Sequence, residues 1–90
     1  MNQFTILNKK EIKSILTMDM VIEAVEQAYS YKCSNLAELF PIVCHSFEDG
    51  VSEFDIKSGS MDGAGIFGMK LVSAFAGNSD LGLPRLTGTI

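Results

Sequence analysis

Basic residues are scarce in this 90-residue chain: seven Lys and Arg stand against eleven Asp and Glu, giving a formal net charge of −4. The seven are scattered, whereas a nucleic-acid footprint needs them clustered on one face, so the composition argues against a nucleic-acid partner. Long hydrophobic runs are lacking too. No apolar stretch approaches the roughly 18 to 20 residues of a membrane span, which leaves no membrane partner in view. Met1 to Lys13 lacks the basic-then-apolar order of a secretory leader, and a cytoplasmic protein is the expectation. Cysteine is limited to Cys33 and Cys44, with no CxxC spacing. Free thiols in a reducing compartment follow, rather than a disulfide or a zinc site, and no metal site is expected. There is no internal repeat and no low-complexity tract.

What is present suffices for one small domain. Hydrophobic residues make up 47% of the chain, an ordinary globular share. A chain this short buries roughly two thirds of its unfolded surface, so a free-standing core is marginal and a partner is expected to contribute.

Gln3 to Leu7 is a short β-prone run. Asn8 is an apt N-cap with Glu11 in the capping-box position, which predicts a short helix. Thr17 offers a second N-cap with Asp19 in the first turn, where its charge favours the helix dipole. From Met18 the apolar positions Met18, Val21, Ile22, Val25, Ala28 and Tyr29 recur at helical spacing, so a second helix is expected over Met18–Cys33, lying on a sheet.

Asn35 to Leu39 reads as a connection, and Pro41 starts an extended segment because it fixes its own φ and disfavours helix in Phe40. Ile42 to Phe47 and Val51 to Ser58 form a hairpin around the turn signal Glu48-Asp49-Gly50, with a bulge reconciling the imperfect alternation of Val51, Phe54 and Ile56. Gly59 to Gly68 reads as a loop, and Met69 to Ala76 as a buried or half-buried strand. The turn-forming GNSDLGLP follows, and from Arg85 the chain resumes an extended pattern. The fold class is α+β, with N-terminal helices packed on a mostly antiparallel sheet.

Gly63 to Gly68 satisfies GxGxxG, but a dinucleotide fingerprint needs a strand before it and a helix N-terminus after it, and the MKLVSAF that follows reads as β. The glycines instead permit positive φ or a close approach of two backbones. Cys44 and His45 are adjacent on a strand and point to opposite faces, so they cannot address one reacting centre, although His45 can line a pocket alone. Lys70 stands inside an apolar strand, and a lysine there either has a partner, a substrate carboxylate or an acidic neighbour such as Asp55, or snorkels outwards to water.

Gly68-Met69-Lys70-Leu71-Val72-Ser73, Asn78, Gly82-Leu83-Pro84 and Leu86-Thr87-Gly88, with LTMDMVIEAVEQAY near the start, together resemble the N-terminal portion of the ornithine cyclodeaminase and mu-crystallin family. The resemblance implies that residues 1–90 form a substrate-binding and dimerisation domain, incomplete by itself. The family's nucleotide-binding domain is expected after Ile90, so NAD is the implied cofactor, bound outside these residues, and no catalytic residue is assigned within them. The implied chemistry is an NAD-dependent conversion of L-ornithine to L-proline and ammonia, or a related amino-acid or ketimine dehydrogenation. Partners implied are a small amino-acid substrate and a second copy in a homodimer. The family's matching lysine contacts substrate, which assigns that role to Lys70. Many members carry an Arg two residues after a Pro where this chain has Val43; either carboxylate recognition passes to another cation, with Lys57 and His45 the candidates, or ornithine is not the substrate. Asn78 and Arg85 are given no role. The alternative is a non-catalytic module that binds a small ligand or dimerises.

Overall fold

The computed structural model describes residues 3–90, so the leader reading rests in part on Met1 and Asn2, outside the described residues. Both N-caps form as the side-chain chemistry requires. Asn8 Oδ1 accepts from the Glu11 amide at 2.9 Å and opens α1, Lys9–Ile15. Thr17 Oγ1 accepts from the Met20 amide at 3.2 Å and opens α2, Met18–Cys33, the bounds its periodicity predicts. The β-prone Gln3 to Leu7 forms no strand. Nothing pairs with it, and Phe4 is 92% exposed.

Five strands follow: β1 Ala37–Leu39, β2 Val43–Ser46, β3 Glu53–Met61, β4 Ile66–Ala74 and β5 Leu86–Thr89. All pairings are antiparallel, and the α+β reading holds. Strand β3 pairs with β4 on one side, β4 pairs with β5, and both β1 and β2 pair with the other side of β3. Strands β1 and β2 are in effect one strand interrupted at Pro41, where a ladder donor is missing, and the Phe40 amide still reaches Ser58 O at 3.0 Å.

Three sequence expectations need correction. Asn35 to Leu39 is not all connection, because Ala37–Leu39 finds the far half of β3 as an edge partner. Gly59 to Gly68 is not a loop either. Gly59 and Gly68 face each other in the ladder, and only the 3-10 turn Asp62–Ala64 with Gly65 separates β3 from β4. Nor does β3 need a bulge: it starts at Glu53, leaving Val51 in the turn, and its pairing with β2 is regular.

The glycines act as their lack of a Cβ allows. Gly65 has φ +66, and a Cβ on Gly63 would stand 2.6 Å from the Tyr31 ring, so helix α2 packs against bare backbone there. On Gly59 a Cβ would stand 2.6 Å from the Glu38 carbonyl oxygen, the close backbone approach that lets β1 join the sheet.

Among the described residues no hydrophobic side chain is fully buried. Helix α2 meets the sheet at β1 and β3, and most of its apolar stripe stays uncovered, with Tyr29 71% exposed. A compact chain of this size has a radius of gyration of about 12 Å, against 16.3 Å here. A 9.8 kDa folded monomer exposes about 5200 Å², whereas this chain exposes 7864 Å². The excess is roughly 2700 Å², and large apolar side chains such as Ile6, Leu39 and Phe67 are among those exposed.

Candidate functional site

The ladder between β3 and β4 places Lys57 directly across from Lys70. In an antiparallel pair such residues share a face, with Cβ atoms about 5 Å apart, and like charges so placed repel. By the two-residue alternation, one face of the sheet carries, row by row, Glu53 with Ala74, Asp55 with Val72, Lys57 with Lys70, Gly59 with Gly68, and Met61 with Ile66. Cys44 extends the Asp55 row and Leu39 the Gly59 row.

Lys70 is exposed, as is Lys57, which corrects the expectation of a desolvated lysine. The reason is local. Residues from Leu71 to Ala74 are half-buried, while Ile66 to Lys70 are exposed where β4 has no β5 partner.

Asp55 lies one row from the lysine pair. Its Oδ1 is buried and has no hydrogen-bond partner, an arrangement that calls for a donor or a neighbouring cation. Across the ladder, the neighbouring Asp55 carboxylate as hydrogen-bond acceptor, local desolvation and the Asp55 charge raise the Cys44 thiol pKa.

His45 is not brought to this site. It pairs with Phe54, an odd number of residues from Lys57, which puts it on the opposite face and about 10 Å along the strand. Its ring meets Phe47 edge-on at 4.9 Å, and Phe47 leans on Phe75 at 5.2 Å. His45 lines a separate cavity of about 560 Å³ with Phe47, Asp49, Ser52 and Phe75. Of the three candidates, the fold unites Lys57 and Lys70 and separates His45.

Sequence reading missed the polar knot beside that cavity. Asp49 Oδ1 accepts from the Val51 and Ser52 amides at 3.0 and 2.7 Å, and Ser52 Oγ donates to Asp49 Oδ2. These bonds, that of the Ser52 hydroxyl foremost, hold the Asp49 carboxyl below its ordinary pKa. Ser52, 2% exposed, also accepts from the Ala76 amide at 3.2 Å and so ties the hairpin turn to the segment after β4. The Asp-Gly turn signal was visible; that a serine 24 residues before Ala76 would bond to it was not. Beyond it, the 3-10 turn Ala76–Leu81 is closed by the Asn78 side chain, whose Nδ2 donates to Pro84 O at 2.9 Å.

The lysine row ends at a groove. Next to Gly59 and Gly68 lies a mostly apolar hollow of about 680 Å³, walled by Val25, Ala28 and Tyr29 of α2 and by Leu39, Met61 and Ile66 of the sheet, with one charge of each sign, Lys32 and Glu38, also in its lining. The GxGxxG run does not fit a dinucleotide: it lies in the β3–β4 connection, Tyr31 covers Gly63, and a strand follows where the phosphates need a helix N-terminus. Among the described residues no helix is long and apolar enough to cross a membrane.

The sheet thus presents a cation pair beside an apolar groove, and the α+β fold that carries them is shared with known proteins. No family profile matches the chain. Over 81 residues it is 34% identical to the alanine dehydrogenase of Archaeoglobus fulgidus, a match that spans 90% of this chain and 24% of that protein. The solved structure of an archaeal alanine dehydrogenase dimer with bound NAD is similar with a TM-score of 0.78 and 29% identity, over 91% of this chain and 24% of that one. Thermococcus litoralis Δ1-pyrroline-2-carboxylate reductase, in complex with NADH and L-proline, is similar in fold with a TM-score of 0.79 at 21% identity, over 91% of this chain and 25% of that one. The chain thus spans about a quarter of the length of the relatives it matches. Both relatives are members of the ornithine cyclodeaminase and mu-crystallin family, and the chain is similar to their N-terminal portion, as its motifs imply.

Proposed function

We propose that this chain is the substrate-holding and dimerising portion of an NAD-linked enzyme acting on an α-amino or α-imino acid. The observation that carries the reading is the direct cross-strand pairing of Lys57 with Lys70. Two like charges held opposite each other are unfavourable alone, and one carboxylate between them turns the repulsion into two charge-assisted hydrogen bonds. Asp55, one row along, leaves the trio with a single positive charge, which matches one carboxylate.

Support also comes from the relatives, one of which is an alanine dehydrogenase and the other a reductase solved with L-proline. Val43 stands where many family members place a carboxylate-gripping Arg, and Lys57 supplies the missing second cation. Conversion of ornithine to proline is the finer form of this reading. On this reading the residues described here hold the substrate and present it, and the nucleotide site is assigned to a further domain.

The exposed apolar side chains support a second copy as partner, in line with the dimeric alanine dehydrogenase. In the full-length gene product, Lys70→Met loses a charge-assisted hydrogen bond of about 1.5 to 3 kcal/mol. The change lowers kcat/KM for the amino acid roughly 10- to 150-fold and leaves NAD affinity near its parent value. An unchanged kcat/KM would remove Lys70 from the site.

A further inference from the structure

The face that carries the lysine pair is ordered by charge along its strands. Glu53, then Asp55, then Lys57 opposite Lys70 occupy successive rows, so the face runs from acids to bases. Within its own row Asp55 has Cys44 on one side and Val72 on the other, with Gly88 beyond Val72, and none of these is a cation. Asp55 Oδ1 is shut away from water with no hydrogen-bond partner, so neither lysine bonds to it. The residue as a whole is half-buried rather than enclosed. An acceptor in that state calls for a donor, and a charged donor answers it best.

The spacing suits the head group of an amino acid. One row is about 7 Å along a strand. A carboxylate oxygen stands about 3 Å from the α-nitrogen of the same molecule, and a charge-assisted hydrogen bond at each end adds about 2.8 Å, so the ligand bridges a lysine ammonium and an Asp55 oxygen up to about 9 Å apart. On the other side of the lysine row Gly59 and Gly68 offer no side chain, and Glu53 lies two rows off, out of reach. Resting on the reading above, we infer that Asp55 binds the α-ammonium group of the amino acid whose carboxylate lies between Lys57 and Lys70, and thereby selects α-amino acids over 2-hydroxy and 2-oxo acids. Charges then alternate along the face: lysine, carboxylate, ammonium, Asp55. A hydroxyl offers Asp55 only a neutral donor, and an oxo group meets it as a second acceptor.

The test is calorimetric titration of the full-length gene product at neutral pH with NADH present, which leaves a saturated acid nothing to react with. Matched ligands are compared in the parent, Asp55→Asn and Lys70→Met: L-alanine with L-lactate, L-proline with tetrahydrofuran-2-carboxylate, and L-ornithine with its 2-hydroxy counterpart. In at least one pair the parent should bind the amino acid about 10- to 150-fold tighter than its oxygen analogue. Asp55→Asn should bring that ratio close to 1 by weakening the amino acid alone, and Lys70→Met should weaken both members alike. A parent that binds both members of every pair equally overturns the inference without any variant. So does an amino-acid preference that Asp55→Asn leaves intact, or an equal loss of both members in Asp55→Asn, which would make Asp55 a positioning residue for the lysines. In each of these cases the lysine-pair reading stands if Lys70→Met weakens both members. Absence of binding by every ligand, or affinities that Lys70→Met leaves unchanged, overturns that reading and the inference with it.

Discussion

Ser52→Ala removes the one side chain among the described residues that the fold buries completely, and its cost can be worked from two bonds. In the parent the hydroxyl donates to Asp49 and accepts from the Ala76 amide at 3.2 Å, joining the β2–β3 turn to the segment after β4. The backbone bonds from Val51 and Ser52 to Asp49 survive the substitution. The Ala76 N–H is left half-buried without an acceptor. An orphaned donor of that kind costs about 1 to 3 kcal/mol. Around 2 kcal/mol in a domain of this size lowers Tm by roughly 8 to 16 °C. Circular dichroism melts of parent, Ser52→Ala and Ser52→Thr at one concentration check it: Ala falls by that range, and Thr, which keeps a hydroxyl, recovers a good part. A Ser52→Ala melt within 2 °C of the parent would refute the claim that this knot fastens the hairpin to the rest of the sheet.

Other outcomes follow from single observations. Because the Asp49 pKa is lowered on folding, its contribution is fully present above the unfolded pKa near 3.8 and is lost as pH falls through the folded value; Asp49→Asn should flatten the acid limb of a stability profile. Gly59→Ala drives a Cβ into the Glu38 carbonyl and should destabilise by about 1 to 3 kcal/mol, while Gly68→Ala, with open space around it, should cost under about 1 kcal/mol in chemical denaturation. Asp55→Asn should speed alkylation of Cys44 at neutral pH, read by mass spectrometry, since the carboxylate is what holds the thiol pKa up. Light scattering of the 90-residue chain should give a mass above the 9.8 kDa monomer, and a clean monomer at all concentrations would count against the covered-surface reading.

Local rules were legible wherever the chemistry is local. Asn8 and Thr17 announce their helices through a side-chain oxygen three residues from the amide they cap, and α2 ends at Cys33 as its stripe foretells. Pairing was harder. Ala37–Leu39 carries no strand signal of its own and becomes β1 only because Gly59 lets its backbone in. Gly59 and Gly68 looked like loop residues, yet lie opposite each other in the ladder, since composition does not reveal which glycines find a partner strand. Lys70 was found through its apolar neighbours, but its exposure was misjudged: those neighbours await a covering surface, and half of β4 stands open. That Lys57 faces Lys70 depends on register across a hairpin, which sequence alone leaves open, and the same register removes His45 to the far face.

The central claim is that Lys57 and Lys70 share one carboxylate. Its most direct measurement is the binding of the preferred L-amino acid and of its carboxamide to the parent, Lys57→Met, Lys70→Met and the double variant of the full-length gene product. Each single change should weaken binding of the acid at least 10-fold, about 1.4 kcal/mol, and the two losses should not add, because the lysines act on the same anion. The carboxamide should bind all four proteins with nearly equal affinity. Acid affinity that survives either substitution, or a carboxamide that loses as much as the acid does, would contradict the account.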